Sequence, residues 1–124
     1  VLDIHHHWVR TGEYIQANDD RVKRIVDSWR GQRPTMHYSY SRDEHLAVAN
    51  LGDKTHTEMH DIKMLLERGC KKQKLRAHSD LLPNRAVNDW ALSFGENFDI
   101  QTEAKGKNIA AEQLYRQHLE NTVQ

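Results

Sequence analysis

The 124-residue chain carries 18 Lys and Arg against 18 Asp and Glu, a formal net charge of zero. No global field therefore draws it to nucleic acid, and any such binding must come from local basic clusters. Charged residues make up 29% of the chain and no apolar run approaches the ~18 residues of a membrane span, which excludes a helical membrane protein; the single Cys70 excludes an internal disulfide and fits a reducing, cytoplasmic setting.

The length is that of one domain, residues 1–124, long enough to bury a core yet about half of the roughly 250 residues of an eight-stranded α/β barrel. The chain opens in mid-strand at Val1 and reads as a piece of something longer. Val1 to Val9 is expected to be an apolar strand that ends in Asp3 and the three histidines His5, His6 and His7. The apolar residues on either side speak against a purification tag. Asp19 or Asp20 then caps a helix with Val22, Ile25, Val26 and Trp29 at i, i+3, i+4, i+7, ended by Gly31 and Pro34. A second strand, Thr35 to Ser41, carries His37. Arg42 to Lys54 shows no clear period and reads as an excursion outside the core, the start of an inserted segment at about 42–70.

Within that segment, Thr57 to Arg68 is expected to be helical with Met59, Ile62 and Leu66 inward and Gly69 as its stop. His56 and His60 are four apart, but with no third ligand nearby they are read as a solvated face. The basic run Cys70 to Asp80 places Lys71, Lys72, Lys74 and Arg76 together and ends in His78 and Asp80; it is either a wet loop or a contact for a phosphate backbone. Pro83 and Asn84 open a helix with Val87, Trp90, Ala91 and Phe94 inward and Gly95 at its close. A third strand from Phe98 to Lys105 carries Glu103, and a last helix from Asn108 to about Asn121 is expected to bury Ala111, Leu114, Tyr115 and His118. Strands alternating with helices predict an α/β fold of parallel βα units.

Asp3, His6, His37, His78 and Glu103 all fall at strand ends or in the loops just after them. None would sit comfortably in a core without partners, and carboxylate with imidazole suits Zn, Mn or Fe. The carboxyl ends of parallel strands are where α/β enzymes place such ligands. Trp8 is read as a packing residue, while Tyr38 and Tyr40, alternating on a strand, are read as facing either helices or DNA.

The blocks Asp3-Ile4-His5-His6-His7, Met36-His37-Tyr38-Ser39, Arg76-Ala77-His78-Ser79-Asp80 and Glu103-Ala104-Lys105-Gly106-Lys107 resemble, in order, the carboxyl-terminal half of the UV damage endonucleases. The resemblance implies a partial TIM barrel, the carboxyl-terminal strands and helices of a (β/α)8 barrel. It implies a DNA repair endonuclease that nicks damaged double-stranded DNA 5′ to photolesions with divalent ions, Mn2+ foremost and Zn2+ or Mg2+ as alternatives. On the same ground Asp3, His6, His37, His78 and Glu103 are expected metal ligands. Lys105 and Lys107 are expected beside the reacting phosphate, with Lys71, Lys72, Lys74 and Arg76 on the DNA. Thr35 stands where the family usually has a lysine, the 42–70 segment is longer than the family's, and the family's first strands have no counterpart here. A half barrel leaves sheet edges open, so the chain is expected to form a homodimer or to pair with a missing amino-terminal half. Two other readings compete: a barrel metalloenzyme acting on a sugar, which would not need the basic run, and a non-catalytic half-barrel remnant that self-assembles.

Overall fold

The computed structural model describes residues 2–103 and 108–122. The chain is an α/β fold built on a three-stranded, fully parallel open sheet in the order β1 (Leu2–Asp3), β2 (Thr35–Tyr38), β3 (Asp99–Thr102). The helices are α1 (Ile4–Thr11), α2 (Asp20–Ser28), α3 (Asp43–Leu46), α4 (Ile62–Glu67), α5 (Lys72–Leu75), α6 (Arg85–Leu92) and α7 (Asn108–Thr122). Among the described residues no helix is long and apolar enough to cross a membrane.

The sheet has two unlike faces because side chains alternate along each strand. Leu2, Met36 and Ile100 are aligned in register and belong to the core or pack against it. Asp3, His37 and Gln101 form the adjacent row, and none of the three is buried. Parallel sheets ordinarily have both faces covered. Here the less covered face is polar rather than apolar.

The expected strand Val1 to Val9 is corrected: among the described residues of that stretch only Leu2–Asp3 is strand, and the histidines lie on α1. Asp3 stops the strand by capping the helix, its Oδ1 accepting the His6 backbone N–H at 2.9 Å. Ile4, His5, Trp8 and Val9 then turn inward, a pattern of helical period. Gly12 ends the helix in the left-handed region at φ +80°, its N–H donating to Trp8 O at 2.7 Å. The second and third strands are shorter than expected, and Glu103 follows β3 directly.

The excursion is also corrected, since Leu46 and Ala49 are buried in the common core and the segment folds into α3 and two 3₁₀ turns, Ala47–Ala49 and Gly52–His56. The helix expected over 57–68 is only Ile62–Glu67, capped by Asp61, which accepts the Lys63 N–H at 3.0 Å. Its inward residues are Ile62 and Leu65, while Met59 and Leu66 are exposed. Thr57 to Asp61 leaves helical geometry because its groups serve the docking of the segment. The carbonyl of Thr55 accepts from Tyr40 Oη (2.6 Å), Asn84 Nδ2 (3.1 Å) and His60 Nε2 (3.1 Å), and Tyr14 Oη donates to His60 O (2.7 Å).

On α6, the expected inward residues Val87, Trp90 and Ala91, with Phe94 just beyond the helix, are buried as their spacing predicts. On α7 the inward face is rotated: Ala110, Leu114 and Gln117 are buried, whereas Ala111, Tyr115 and His118 are exposed. A polar ladder fixes that rotation. Tyr38 Oη donates to Asn88 Oδ1 (2.6 Å), Asn88 Nδ2 to Leu82 O and to Gln117 Oε1, and Gln117 Nε2 to Arg85 O and Asp89 Oδ1. Buried amides need partners, and Gln117 supplies them only from the inner face. At the other end of the sheet, the Arg33 guanidinium gathers the carbonyls of Gly95, Glu96 and Phe98 together with the Asp99 carboxylate, closing the turn from α6 into β3.

Candidate metal centre

Parallel strands in register bring their carboxyl ends together, and that places three side chains of different strands side by side. Asp3 is the last residue of β1, His37 is its register partner in β2, and Glu103 follows β3, its N–H donating to Tyr38 O at 2.8 Å. His37 Nδ1 lies 3.1 Å from Glu103 Oε1, with both side chains roughly a third exposed. One donor atom from each of Asp3, His37 and Glu103 lies within 4.8 Å of the others. A divalent ion holds oxygen and imidazole nitrogen at about 2.0–2.2 Å, so a small closure of these side chains suffices to ligate one. The two carboxylates would offset the ion's charge, and three protein ligands leave positions for water and a substrate oxygen. Asp3 serves two roles, since Oδ1 already caps α1 and fixes the carboxylate relative to the helix.

The structure brings together three of the five expected ligands. His6 is exposed on the first turn of α1, joined to the site through its backbone bond to Asp3. His78 is half-buried and paired to Ser41 by an isolated antiparallel bridge, its ring 6.1 Å from that of His5. Neither belongs to the three-residue group. Lys71, Lys72, Lys74 and Arg76 are exposed on and around α5, with Lys72 Nζ donating to Arg10 O at 3.1 Å. Lys105 and Lys107 lie outside the described residues. His56 pairs with Asp43 at 2.9 Å while His60 turns inward to Thr55, so the two do not share a site.

Sequence reasoning passed over His5. It is buried beside the centre, its Nε2 3.1 Å from Ser41 Oγ, which in turn donates to Leu75 O. Since that hydroxyl proton is committed to Leu75, the imidazole is the donor to Ser41. Burial pulls the His5 pKa down to about 4, against the opposing pull of the Asp3 carboxylate, so the ring is neutral at pH 7. The signal was present in the chain: once a helix begins at Ile4, positions 4, 5, 8 and 9 share a face and position 6 lies outside it. Cys70 is buried with its thiol pKa raised by desolvation, an inert environment for a thiol.

Comparison of the chain with protein-family models, with curated proteins and with solved structures finds no match in any of the three.

Proposed function

We propose that this chain is a metal-dependent DNA repair endonuclease of the UV damage endonuclease kind, or the carboxyl-terminal portion of one, with its sheet forming part of a TIM barrel. The observation that carries the reading is the convergence of Asp3, His37 and Glu103 from the carboxyl ends of three consecutive parallel strands. Strand order β1-β2-β3 without a skipped neighbour is the order in which such a barrel is built. The donor set fits a divalent ion of the Mn2+ or Zn2+ type better than Ca2+, which favours an all-oxygen shell.

A bound divalent ion would lower the pKa of a ligated water and neutralise charge on the phosphodiester under attack. Within the chain, Asp3 and Glu103 provide negative charge from opposite edges of the sheet, and the His37–Glu103 contact holds the imidazole in place. His6, exposed on α1 above Asp3, and His78 are the additional ligands in this reading. Lys71, Lys72, Lys74 and Arg76 present cations to DNA phosphates, and Lys105 and Lys107 act beside the scissile phosphate.

The test is Mn2+ loading of the purified chain, measured by elemental analysis, beside a nicking assay on UV-irradiated duplex DNA. Glu103→Gln should lower bound metal while leaving far-UV circular dichroism unchanged. Unchanged metal stoichiometry would remove Glu103 from the site, and absence of metal from the parent chain would defeat the reading.

A second reading, a half-barrel module that self-associates, is favoured by one feature. Along the edge of β3, a groove of ≈ 600 Å³ is lined mainly by apolar residues, among them Phe98, Ile100, Ala111, Leu114 and Tyr115. A dimer by light scattering with no bound metal would support that reading over the first.

A further inference from the structure

The sheet face that carries Asp3, His37 and Glu103 holds one more side-chain oxygen that nothing uses. Side chains alternate along a strand, so Gln101, the register partner of His37, leaves β3 on the same face as His37 and Asp3. Exposure along β3 follows that alternation: Ile100 and Thr102 are half-buried, whereas Asp99 and Gln101 are exposed. Asp99 is occupied, since its Oδ1 accepts from Arg33 Nε at 2.7 Å. The amides of Gln113 and Gln117 are likewise engaged, with Leu82 N and with Asn88, Arg85 and Asp89. Gln101 differs. Among the described residues its side chain has no hydrogen-bond or ion-pair partner, so it has no task in holding the fold.

Register decides what this carboxamide can reach. Glu103 lies two residues beyond Gln101, past the end of β3, yet its Oε1 turns back to within 3.1 Å of His37 Nδ1. Gln101 starts from the row of His37 itself, and neighbouring strands lie only about 4.8 Å apart. A glutamine side chain is as long as a glutamate. An ion that Glu103 reaches from the farther position is therefore within reach of Gln101 from the nearer one.

We infer that Gln101 is a further ligand of the centre, its carbonyl Oε1 joining Asp3, His37 and Glu103, and that it shifts the site toward Mn2+ and away from Zn2+. The inference rests on the metal reading above and adds to it a choice of ion. At a generic site of nitrogen and oxygen ligands Zn2+ binds more tightly than Mn2+, so selection must come from the number and kind of ligands. An amide carbonyl is a hard, uncharged oxygen of the kind that suits Mn2+, which takes an octahedral, oxygen-rich shell. Zn2+ is satisfied by four ligands, and Asp3, His37, Glu103 and one water already supply them. A further protein oxygen therefore stabilises bound Mn2+ far more than bound Zn2+. Because the carbonyl is neutral, it does so without setting a third carboxylate against those of Asp3 and Glu103.

The experiment titrates the full chain with each metal alone. Mn2+ binding is followed by the electron paramagnetic resonance signal of the free aqueous ion, and Zn2+ binding by competition with a chromophoric chelator. Gln101→Leu removes the oxygen and keeps the bulk. It should weaken Mn2+ binding by about tenfold or more and Zn2+ binding far less, with the circular dichroism of the parent. Gln101→Glu keeps an oxygen at the same reach and adds charge, so it should bind Mn2+ more tightly than the parent. Unchanged Mn2+ affinity in Gln101→Leu, or an equal loss for the two metals, overturns the inference and leaves the three-residue centre standing. Mn2+ affinity in Gln101→Glu at or below that of the parent overturns it as well, even where the leucine variant does not fold. A parent chain that binds no Mn2+ overturns both this inference and the metal reading beneath it.

Discussion

Asn84 is where the 42–70 segment is fastened to the rest of the molecule, and its removal should be costly in a specific order. The residue is fully buried. Its Oδ1 accepts the Val87 N–H at 3.0 Å, capping α6, while its amide nitrogen faces Glu58 O (2.8 Å), Thr55 O (3.1 Å) and Tyr40 Oη (3.1 Å). Loss of an N-cap costs about 1 kcal/mol. Each amide proton left without its acceptor removes about 0.5–1.5 kcal/mol, and the vacated side-chain volume adds to this. Asn84→Ser keeps a capping oxygen and loses only the donors, so about 1–3 kcal/mol is expected. Asn84→Ala loses the cap as well, raising the cost to about 2–4 kcal/mol. Asn84→Asp keeps the cap but turns a carboxylate oxygen toward two carbonyls, a buried charge without a partner, and should cost about 3–5 kcal/mol. Against a typical domain stability of about 5–15 kcal/mol these losses are large. Urea denaturation followed by circular dichroism and tryptophan fluorescence gives the ranking. If Asn84→Asp is no less stable than Asn84→Ser at pH 7, the amide donors do not hold the segment and the reasoning is wrong.

Alkaline pH should destabilise the fold through its buried tyrosines. Burial pushes the Tyr40 pKa up to about 12 from an ordinary 10 and raises those of Tyr14 and Tyr38 as well. The folded state thus holds its phenol protons where the unfolded chain releases them, so stability is intact below pH 10 and falls as pH rises through 12. Tyr40→Phe should flatten that decline by up to about 3 kcal/mol in denaturation curves taken across pH 9 to 12, as two pKa units imply; an unchanged slope would dismiss Tyr40 as its source. Gly12→Ala should cost about 2–4 kcal/mol, because the φ of +80° disfavours any side chain and the new Cβ would come within 2.6 Å of Ile62 Cγ2. Thermal melting of this variant at the parent temperature would show that α4 can move aside.

Much of the candidate centre was legible in the chain. Asp3, His37 and Glu103 were identified because each lies in or beside a β-prone run, although the runs were drawn too long, and in a parallel sheet the carboxyl ends of the strands gather on one side. The helical spacing of Val87, Trp90, Ala91 and Phe94 likewise named a buried face before any coordinates, since apolar side chains must be inside. What failed was the assignment of polar residues to faces. His6 was chosen over His5 on the resemblance to the UV damage endonucleases; one capping bond from Asp3 starts the helix at Ile4, which leaves His6 exposed and buries His5. The face of α7 was read from Ala111, Leu114, Tyr115 and His118; Leu114 is buried as expected, but the other inner positions go to Ala110 and Gln117. Asn88 and the backbone of Arg85 must have their hydrogen bonds met, and only tertiary structure shows that requirement. The sequence by itself therefore determined the alternation of strands and helices, the apolar core of α6 and three donors at strand ends. The tertiary structure decided which polar groups are buried, because a polar side chain goes inside only where a specific partner awaits it, and that partner lies far along the chain.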